Sequence, residues 1–153
     1  MKYKDTANMG RFSVDIEIAN NEDLMKARHG YLDAAKVRRR TVRGVVDSGA
    51  TRLVLPQAVA KELGLPVKKT KIKVRYADGR RGLRSEVEEA RVYLQSRDGV
   101  FSAMIEPKRD TALIGAIVLE DLDFLVDCAK LCLVPRDPDY IVSEIEGLAA
   151  HSE

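Results

Sequence analysis

The sequence has few of the residues that stack on bases or sugars, and few that form disulfide bonds. Its 153 residues include no tryptophan, and aromatic residues make up only 5%. A surface built to stack nucleic-acid bases is therefore not expected. Two cysteines are too few for a disulfide framework. No Gly-x-Ser-x-Gly, P-loop or dinucleotide fingerprint occurs, so a serine hydrolase or a nucleotide-binding protein has no support in the sequence.

Long apolar runs are also missing. The segment Met1-Lys2-Tyr3-Lys4-Asp5 lacks the apolar core of a signal peptide, and no stretch is long enough to span a bilayer. We therefore expect a cytoplasmic protein with no membrane partner. The formal net charge of +2 is too small to indicate nucleic acid as a partner. With 45% hydrophobic residues, the chain is expected to form a single domain over 1–153, with its core at about 11–135 and a tail over 136–153.

Short segments of alternating polarity dominate the chain and predict strands. Residues 12–18 and 71–76 alternate apolar and polar side chains, and a long, partly helical connection is expected over 20–40. Many short strands with few helices predict a compact β barrel or sandwich. The other predicted elements are strands over 41–46, 53–55, 85–94, 100–105, 112–115, 124–127 and 131–135, helices from Pro56 to Gly64 and over 117–122, turns at 77–80 and 98–99, and a short helix or a frayed tail over 139–149.

The most informative motif lies at the end of the second predicted strand. It reads Val45-Val46-Asp47-Ser48-Gly49-Ala50 and is followed by Leu53-Val54-Leu55-Pro56. A carboxylate at the end of a buried apolar strand is costly to desolvate unless it is hydrogen-bonded or paired. The Ser48 hydroxyl can donate, Gly49 lets the backbone lend an N–H, and Ala50 leaves space beside the carboxylate. An acid held in this way suits the floor of a cleft, although Asp-Ser-Gly is also ordinary turn chemistry.

This motif resembles the active-site loop of pepsin-like and retroviral aspartic proteases, apolar-apolar-Asp-Thr/Ser-Gly-Ala/Ser. Leu113-Ile114-Gly115, with the predicted helix over 117–122, resembles that family's second landmark. The hairpin around Asp78-Gly79 lies between the two, where the family has its substrate-covering flap. The Leu-Pro after the loop, the Ala-Asp-Gly-Arg turn and a closing strand near Val-Asp resemble the bacterial single-domain retropepsin-like proteins. The resemblance spans about residues 11–135.

The resemblance implies an all-β, retropepsin-like closed barrel, which is one lobe of the acid protease fold, with one short helix near its C-terminal part. It implies an aspartic endopeptidase that needs no cofactor and no metal, in which Asp47 is catalytic. The other residues that it assigns are Ser48, Gly49 and Ala50 in support of the active-site loop, Ala77, Asp78, Gly79 and Arg80 at the substrate-binding flap, and Ile114 and Gly115 packed beneath the loop.

The number of catalytic acids in the chain predicts its oligomeric state. Aspartic proteolysis uses two carboxylates that share one proton, and this chain has a single Asp-Ser-Gly. A two-fold homodimer that places Asp47 beside its symmetry mate supplies the second acid. The expected partners are therefore a second copy of the chain and a peptide or protein substrate. The alternative is a catalytically silent, dimeric protein-binding module that retains the protease fold.

The flap and the loop depart from the viral pattern. Ser48 stands where the retroviral enzymes commonly have threonine, and the segment 20–40 has no counterpart in the small viral proteases. The flap carries arginines instead of a glycine-rich tip. These arginines belong to a basic stretch. On alternating strands such charges usually form a solvated face that also protects a strand edge, and a surface for nucleic acid or an acidic partner is the less expected alternative. The stretch comprises Lys68, Lys69, Lys71, Lys73, Arg75, Arg80, Arg81 and Arg84.

The two cysteines allow a metal-site reading and a simpler one. Cys128 and Cys132 have only His29 and His151 available to complete a zinc site. Free, buried thiols are therefore expected instead.

Overall fold

The computed structural model describes residues 11–145, and most of them lie in strands. The strands within this range are β1 (Phe12–Asn20), β2 (Arg39–Val46), β3 (Leu53–Pro56), β4 (Val67–Arg75), β5 (Arg81–Leu94), β6 (Arg97–Glu106), β7 (Ala112–Ile114), β8 (Phe124–Asp127) and β9 (Cys132–Pro135). The helices are α1 (Asn21–Arg28), α2 (Gln57–Leu63), α3 (Ala116–Asp121) and a 3-10 turn at Ala34–Lys36. None of the helices in the described range is long and apolar enough to cross a membrane.

Six strands close into a barrel. The large sheet has the order β1-β2-β7-β3-β6-β5-β4, and β1 pairs a second time with β5. This second pairing joins the two ends of the six-strand run, so that only β4 remains outside the ring as an edge strand. β8 and β9 form a separate two-stranded sheet. The predicted all-β closed barrel is confirmed.

The barrel interior is filled by alternating aliphatic side chains from all six strands of the ring and by the apolar sides of α2 and α3. Such burial supplies most of the favourable free energy of folding. The largest completely buried side chains are Ile16, Ile18, Leu53, Leu55, Leu63, Leu94, Ile114 and Leu122.

The helices follow the sequence signals closely. α2 ends at Gly64, whose φ of 62° is the left-handed conformation expected of a glycine helix cap. Pro56 precedes the first helical residue and acts as the N-cap, one position earlier than predicted. α3 lies within one residue of its predicted bounds, and the 20–40 connection is partly helical, as expected. The structure therefore has two further short helices besides the predicted helix near the C-terminal part.

The turn predicted at Asp98-Gly99 is wrong. These residues belong to β6, and the two-residue turn that joins β5 to β6 is Gln95-Ser96, with Gln95 at a φ of 53°. Arg97 explains the shift, because its guanidinium is buried and donates hydrogen bonds to the carbonyl oxygens of Leu122 and Asp123 at 2.8 and 2.9 Å. A buried charged group needs such partners, and they lie far away in the sequence.

The C-terminal segment is fixed by polar contacts, and the predicted helix is not found over 139–145. Arg97 also donates to the carbonyl of Tyr140 at 2.9 Å, and Asp123 accepts from the Val142 N–H at 2.9 Å. The rest of the predicted tail helix lies outside the described residues. The prediction of buried thiols is also wrong, since Cys128 is exposed in the turn between β8 and β9, and Cys132, the first residue of β9, is only partly buried.

Candidate active site

The loop that carries Asp47 connects β2 to β3 and rests on β7, the strand of the second landmark motif. β2 and β7 are parallel neighbours with Val46 opposite Ile114, and the Asp47 N–H donates to the Ile114 carbonyl at 3.0 Å. The N–H of Ala116 donates to the Ala50 carbonyl at 2.8 Å, and the N–H of Ile117 donates to the Thr51 carbonyl at 3.0 Å. The first turn of α3 is thereby joined to the loop by main-chain hydrogen bonds.

Gly115 lies where the loop and the start of α3 meet, and the site leaves no room for a side chain. A Cβ atom at this position would lie 2.5 Å from the carbonyl oxygen of Arg52 and 2.7 Å from the carbonyl carbon of Thr51. Both obstacles are backbone atoms, which cannot rotate away. The glycine of the second landmark therefore permits the close packing of the two segments.

The Asp47 carboxylate is mostly buried, and both of its oxygens have partners. The Gly49 N–H donates to Oδ1 at 3.0 Å, and Arg11 Nη2 lies 3.0 Å from Oδ2. The side chain of Asp47 is 16% exposed, whereas that of Arg11 is 54% exposed. Ser48 is exposed, and within residues 11–145 its hydroxyl has no hydrogen bond. The loop thus holds one oriented carboxylate at the surface of the described chain.

The candidate flap tip is a closed turn. The Arg80 N–H donates to Asp78 Oδ1 at 3.0 Å and the Arg80 Nε–H to Oδ2 at 2.7 Å, while the Gly79 N–H donates to the Tyr76 carbonyl at 2.9 Å. The Arg80 backbone N–H, and next its guanidinium, lower the pKa of Asp78. The turn Ala77–Arg80 therefore satisfies its own polar groups. In the described part of the chain no hydrogen bond or ion pair joins it to Asp47.

A polar cluster anchors the hairpin on one face, and sequence analysis missed it. The Tyr76 hydroxyl donates to Glu106 Oε2 at 2.5 Å, Arg84 Nε donates to Glu106 Oε1 at 2.8 Å, and Arg84 Nη2 donates to the Tyr76 oxygen at 2.7 Å. The hydrogen bond to Glu106 raises the pKa of Tyr76. Burial acts to raise the pKa of Glu106, but the donors Tyr76 and Arg84 together lower it. No local pattern marks Glu106, because its partners are at least 22 residues away.

A second missed contact joins the active-site loop to the base of the hairpin. Glu86 of β5 is 7% exposed, and its carboxylate lies 3.3 Å from Arg52 Nη1 and 3.2 Å from Lys68 Nζ. Arg52 belongs to the loop that begins at Asp47, and Lys68 belongs to β4. A buried carboxylate with two cations therefore links the loop to both strands of the hairpin.

The described residues offer no arrangement suited to a metal ion. No group of three or more His, Cys, Asp or Glu side chains in the range 11–145 could hold a metal.

Comparison with known proteins agrees with this geometry. The structure resembles that of EIAV protease, solved in complex with the inhibitor HBY-793, with a TM-score of 0.51 over 73% of this chain and 88% of that chain at 15% sequence identity. The fold is therefore the predicted retropepsin-like one. The sequence model described as gag-polyprotein putative aspartyl protease matches residues 34–121, more than half of the chain, and the protein belongs to that family. No curated protein matches the sequence.

Proposed function

We propose that the protein is an aspartic endopeptidase whose active site forms when two copies bring their Asp47 side chains together. The observation that carries the proposal is the Asp47 carboxylate, oriented by the Gly49 N–H on a loop whose backbone is bonded to Ile114 and Ala116. Membership of the family supports the same reaction.

The reaction follows from sharing one proton between two carboxylates. Two acids about 3 Å apart cannot both ionise, so one stays protonated while the other is charged. The charged Asp47 accepts a proton from a water molecule as that water attacks the peptide carbonyl. The protonated Asp47 of the other copy donates a hydrogen bond to the carbonyl oxygen as negative charge develops there. Proton transfer to the amide nitrogen then releases the amine product.

The distribution of exposed apolar side chains supports a second copy as partner. Seven of the twelve large hydrophobic residues that are exposed in the described range lie between positions 125 and 145. α3, whose first turn is hydrogen-bonded to the active-site loop, precedes this part of the chain. Exposed apolar side chains concentrated in one part of the chain suit an interface with a second copy. The seven residues are Leu125, Leu131, Val134, Tyr140, Ile141, Val142 and Ile145.

The second candidate is a dimeric binding module without catalysis. The Arg11–Asp47 ion pair favours it, because Arg11 occupies the carboxylate oxygen that Gly49 leaves free. A guanidinium on this oxygen blocks the approach of a second carboxylate to Oδ2 until the guanidinium moves away. Arg11 is more than half exposed, and such a pair is weak enough to open at little cost.

Cleavage of a denatured protein between about pH 3 and pH 8 tests the proposal. The comparison is between the wild type, Asp47→Asn and the matched control Asp33→Asn, which alters an exposed aspartate whose Oδ1 accepts from the Ala35 N–H at 3.0 Å. We expect cleavage by the wild type and the control, and a loss of at least about a thousandfold in Asp47→Asn. Dimers that cleave nothing at any pH would favour the binding module, and undiminished activity in Asp47→Asn would contradict the proposed mechanism.

A further inference from the structure

The two faces of the β4–β5 hairpin differ in whether their basic side chains form ion pairs. On one face, Arg80 and Arg84 are paired with Asp78 and Glu106. On the opposite face, basic side chains are exposed and no ion pair joins them to any carboxylate in the range 11–145. We call this second surface the basic face, and it consists of Lys71, Lys73 and Arg75 on β4 with Arg81 and Leu83 on β5.

Strand geometry places these side chains together. Lys71, Lys73 and Arg75 alternate along β4 and therefore point to one side of the sheet. The register sets Arg81 opposite Arg75 and Leu83 opposite Lys73, so the β5 residues join the same side. All five are exposed.

The concentration of charge is local. Positions 68–84 hold eight basic residues and one acidic residue, whereas the whole chain holds 26 basic and 24 acidic residues. The rest of the protein is therefore net acidic, and the hairpin is the region that attracts anions. A groove of about 520 Å³ runs along it, lined by Lys73, Val74, Arg75, Arg81, Gly82 and Leu83.

One edge of β4 also has backbone N–H and C=O groups that no described strand pairs with. β4 is the last strand of the sheet, and its outer edge has no partner strand among the described residues. Lysines on an edge strand discourage pairing with another basic strand. The same charges favour an extended segment with the opposite charge, which can add to the edge through main-chain hydrogen bonds.

We propose that the basic face binds an acidic, extended segment of the polypeptide substrate along the β4 edge. The proposal deepens the proposed endopeptidase function and rests on it, because the bound segment is a substrate only if the protein cleaves polypeptides. Alternate side chains of an added strand lie about 6.8 Å apart, which matches the spacing of Lys71, Lys73 and Arg75. The segment best suited therefore has Asp or Glu at every second position.

A polypeptide fits the basic face better than a single-stranded nucleic acid does. Binding of single strands combines positive charge with aromatic side chains on which bases stack. Tyr76 is the one aromatic residue between positions 67 and 85. It lies on the other face, hydrogen-bonded to Glu106, with the Arg80 guanidinium 4.8 Å from its ring centre. The basic face offers charge and an apolar Leu83 but no stacking surface.

The test measures binding to the inactive Asp47→Asn protein by fluorescence anisotropy, so that it does not depend on catalysis. The probes are a labelled peptide with glutamate at every second position, a peptide of the same composition with its glutamates adjacent, and an oligothymidylate of equal charge. We expect the alternating peptide to bind most tightly and its affinity to fall with added salt.

Two matched variants locate the binding. Lys71→Glu/Lys73→Glu should weaken binding of the alternating peptide about tenfold, because two attractions become repulsions. Lys36→Glu/Lys130→Glu makes the same change in net charge at two exposed lysines elsewhere and should change the affinity less than about twofold. If the glutamate pair fails to fold, Lys71→Gln/Lys73→Gln should still weaken binding about threefold.

The outcomes separate this proposal from the proposed function. Equal effects of the two variant pairs, or tighter binding of the oligothymidylate than of the peptide, would overturn the acidic-segment proposal while leaving proteolysis untouched. Suppose that the peptide binds through Lys71 and Lys73 but the wild type cleaves nothing. This result would support the acidic-segment binding surface and would contradict the proposed endopeptidase function.

Discussion

The active-site loop and the hairpin tip are built from the same local turn but differ in their surroundings. In each, an aspartate accepts from the backbone N–H two residues later at 3.0 Å, and an arginine binds its other oxygen. Asp47 is 16% exposed, however, and Asp78 is 57% exposed. The hairpin turn is closed on itself, whereas the loop is bonded to β7 and α3. Turn chemistry alone therefore does not make a site, and what distinguishes the loop is that Ile114, Ala116 and Ile117 hold its backbone by main-chain hydrogen bonds.

The largest difference in stability between the two regions is expected when a glycine in each is replaced by alanine. Gly115→Ala should lower the free energy of unfolding by about 3 kcal/mol, because the added Cβ collides with backbone atoms of the loop. Gly79→Ala meets no atom within 4 Å and should cost only about 1 kcal/mol, from its positive φ. Urea unfolding of both variants checks this. Equal losses would contradict the view that the loop depends on tight packing against Gly115.

A smaller effect is expected where the hairpin is anchored. Glu106→Gln weakens two charge-assisted hydrogen bonds, and we expect a loss of about 1–2 kcal/mol at neutral pH. Because the pKa of Glu106 is lowered in the folded protein, its stabilisation is present above the ordinary value of 4.5 and is lost as the pH falls through the folded value.

The difference between the wild type and Glu106→Gln should therefore shrink when unfolding is measured below about pH 4. Glu62→Gln is the matched control, since the Arg40–Glu62 pair is exposed and should contribute less than about 0.5 kcal/mol at any pH. A loss in Glu106→Gln that does not change with pH would show that the anchor is not electrostatic.

The smallest effect is expected at the arginine that contacts the loop. Arg11→Ala should change the free energy of unfolding by less than about 1 kcal/mol, because Arg11 is 54% exposed and its pairing is screened by solvent. Thermal unfolding at low and high salt measures it, with Arg43→Ala as the exposed control. A loss of several kcal/mol would mean that Arg11 is a structural part of the loop.

Features carried by neighbouring residues could be predicted from the sequence. Alternation along 12–18 gave β1, and Gly64 ended α2, because both depend on local backbone preferences. The contact between the Asp47 loop and the segment of Ile114 and Gly115 could be predicted because the two motifs follow each other in the same order as in the family. The pairing of β1 with both β2 and β5, which closes the barrel, leaves no local signal.

Features that depend on distant partners could not be predicted. The error at Asp98-Gly99 arose because Arg97 is drawn into β6 by carbonyl groups that lie 25 or more residues away. No local pattern sets apart Glu86, which is buried, or Glu106, which is partly buried, because each is paired with a cation from another element. Buried polar groups are satisfied by tertiary contacts, which a local pattern does not contain.

The most direct test of the central claim mixes two forms of the protein before assay. Wild type and Asp47→Asn are unfolded together in equal amounts and refolded, so that subunits pair at random, and cleavage is measured per wild-type subunit. If the active site needs Asp47 from both copies, only pairs of two wild-type subunits cleave, and activity per wild-type subunit falls to about half. Activity per wild-type subunit that does not change on mixing would show that one Asp47 suffices, and would contradict the shared site.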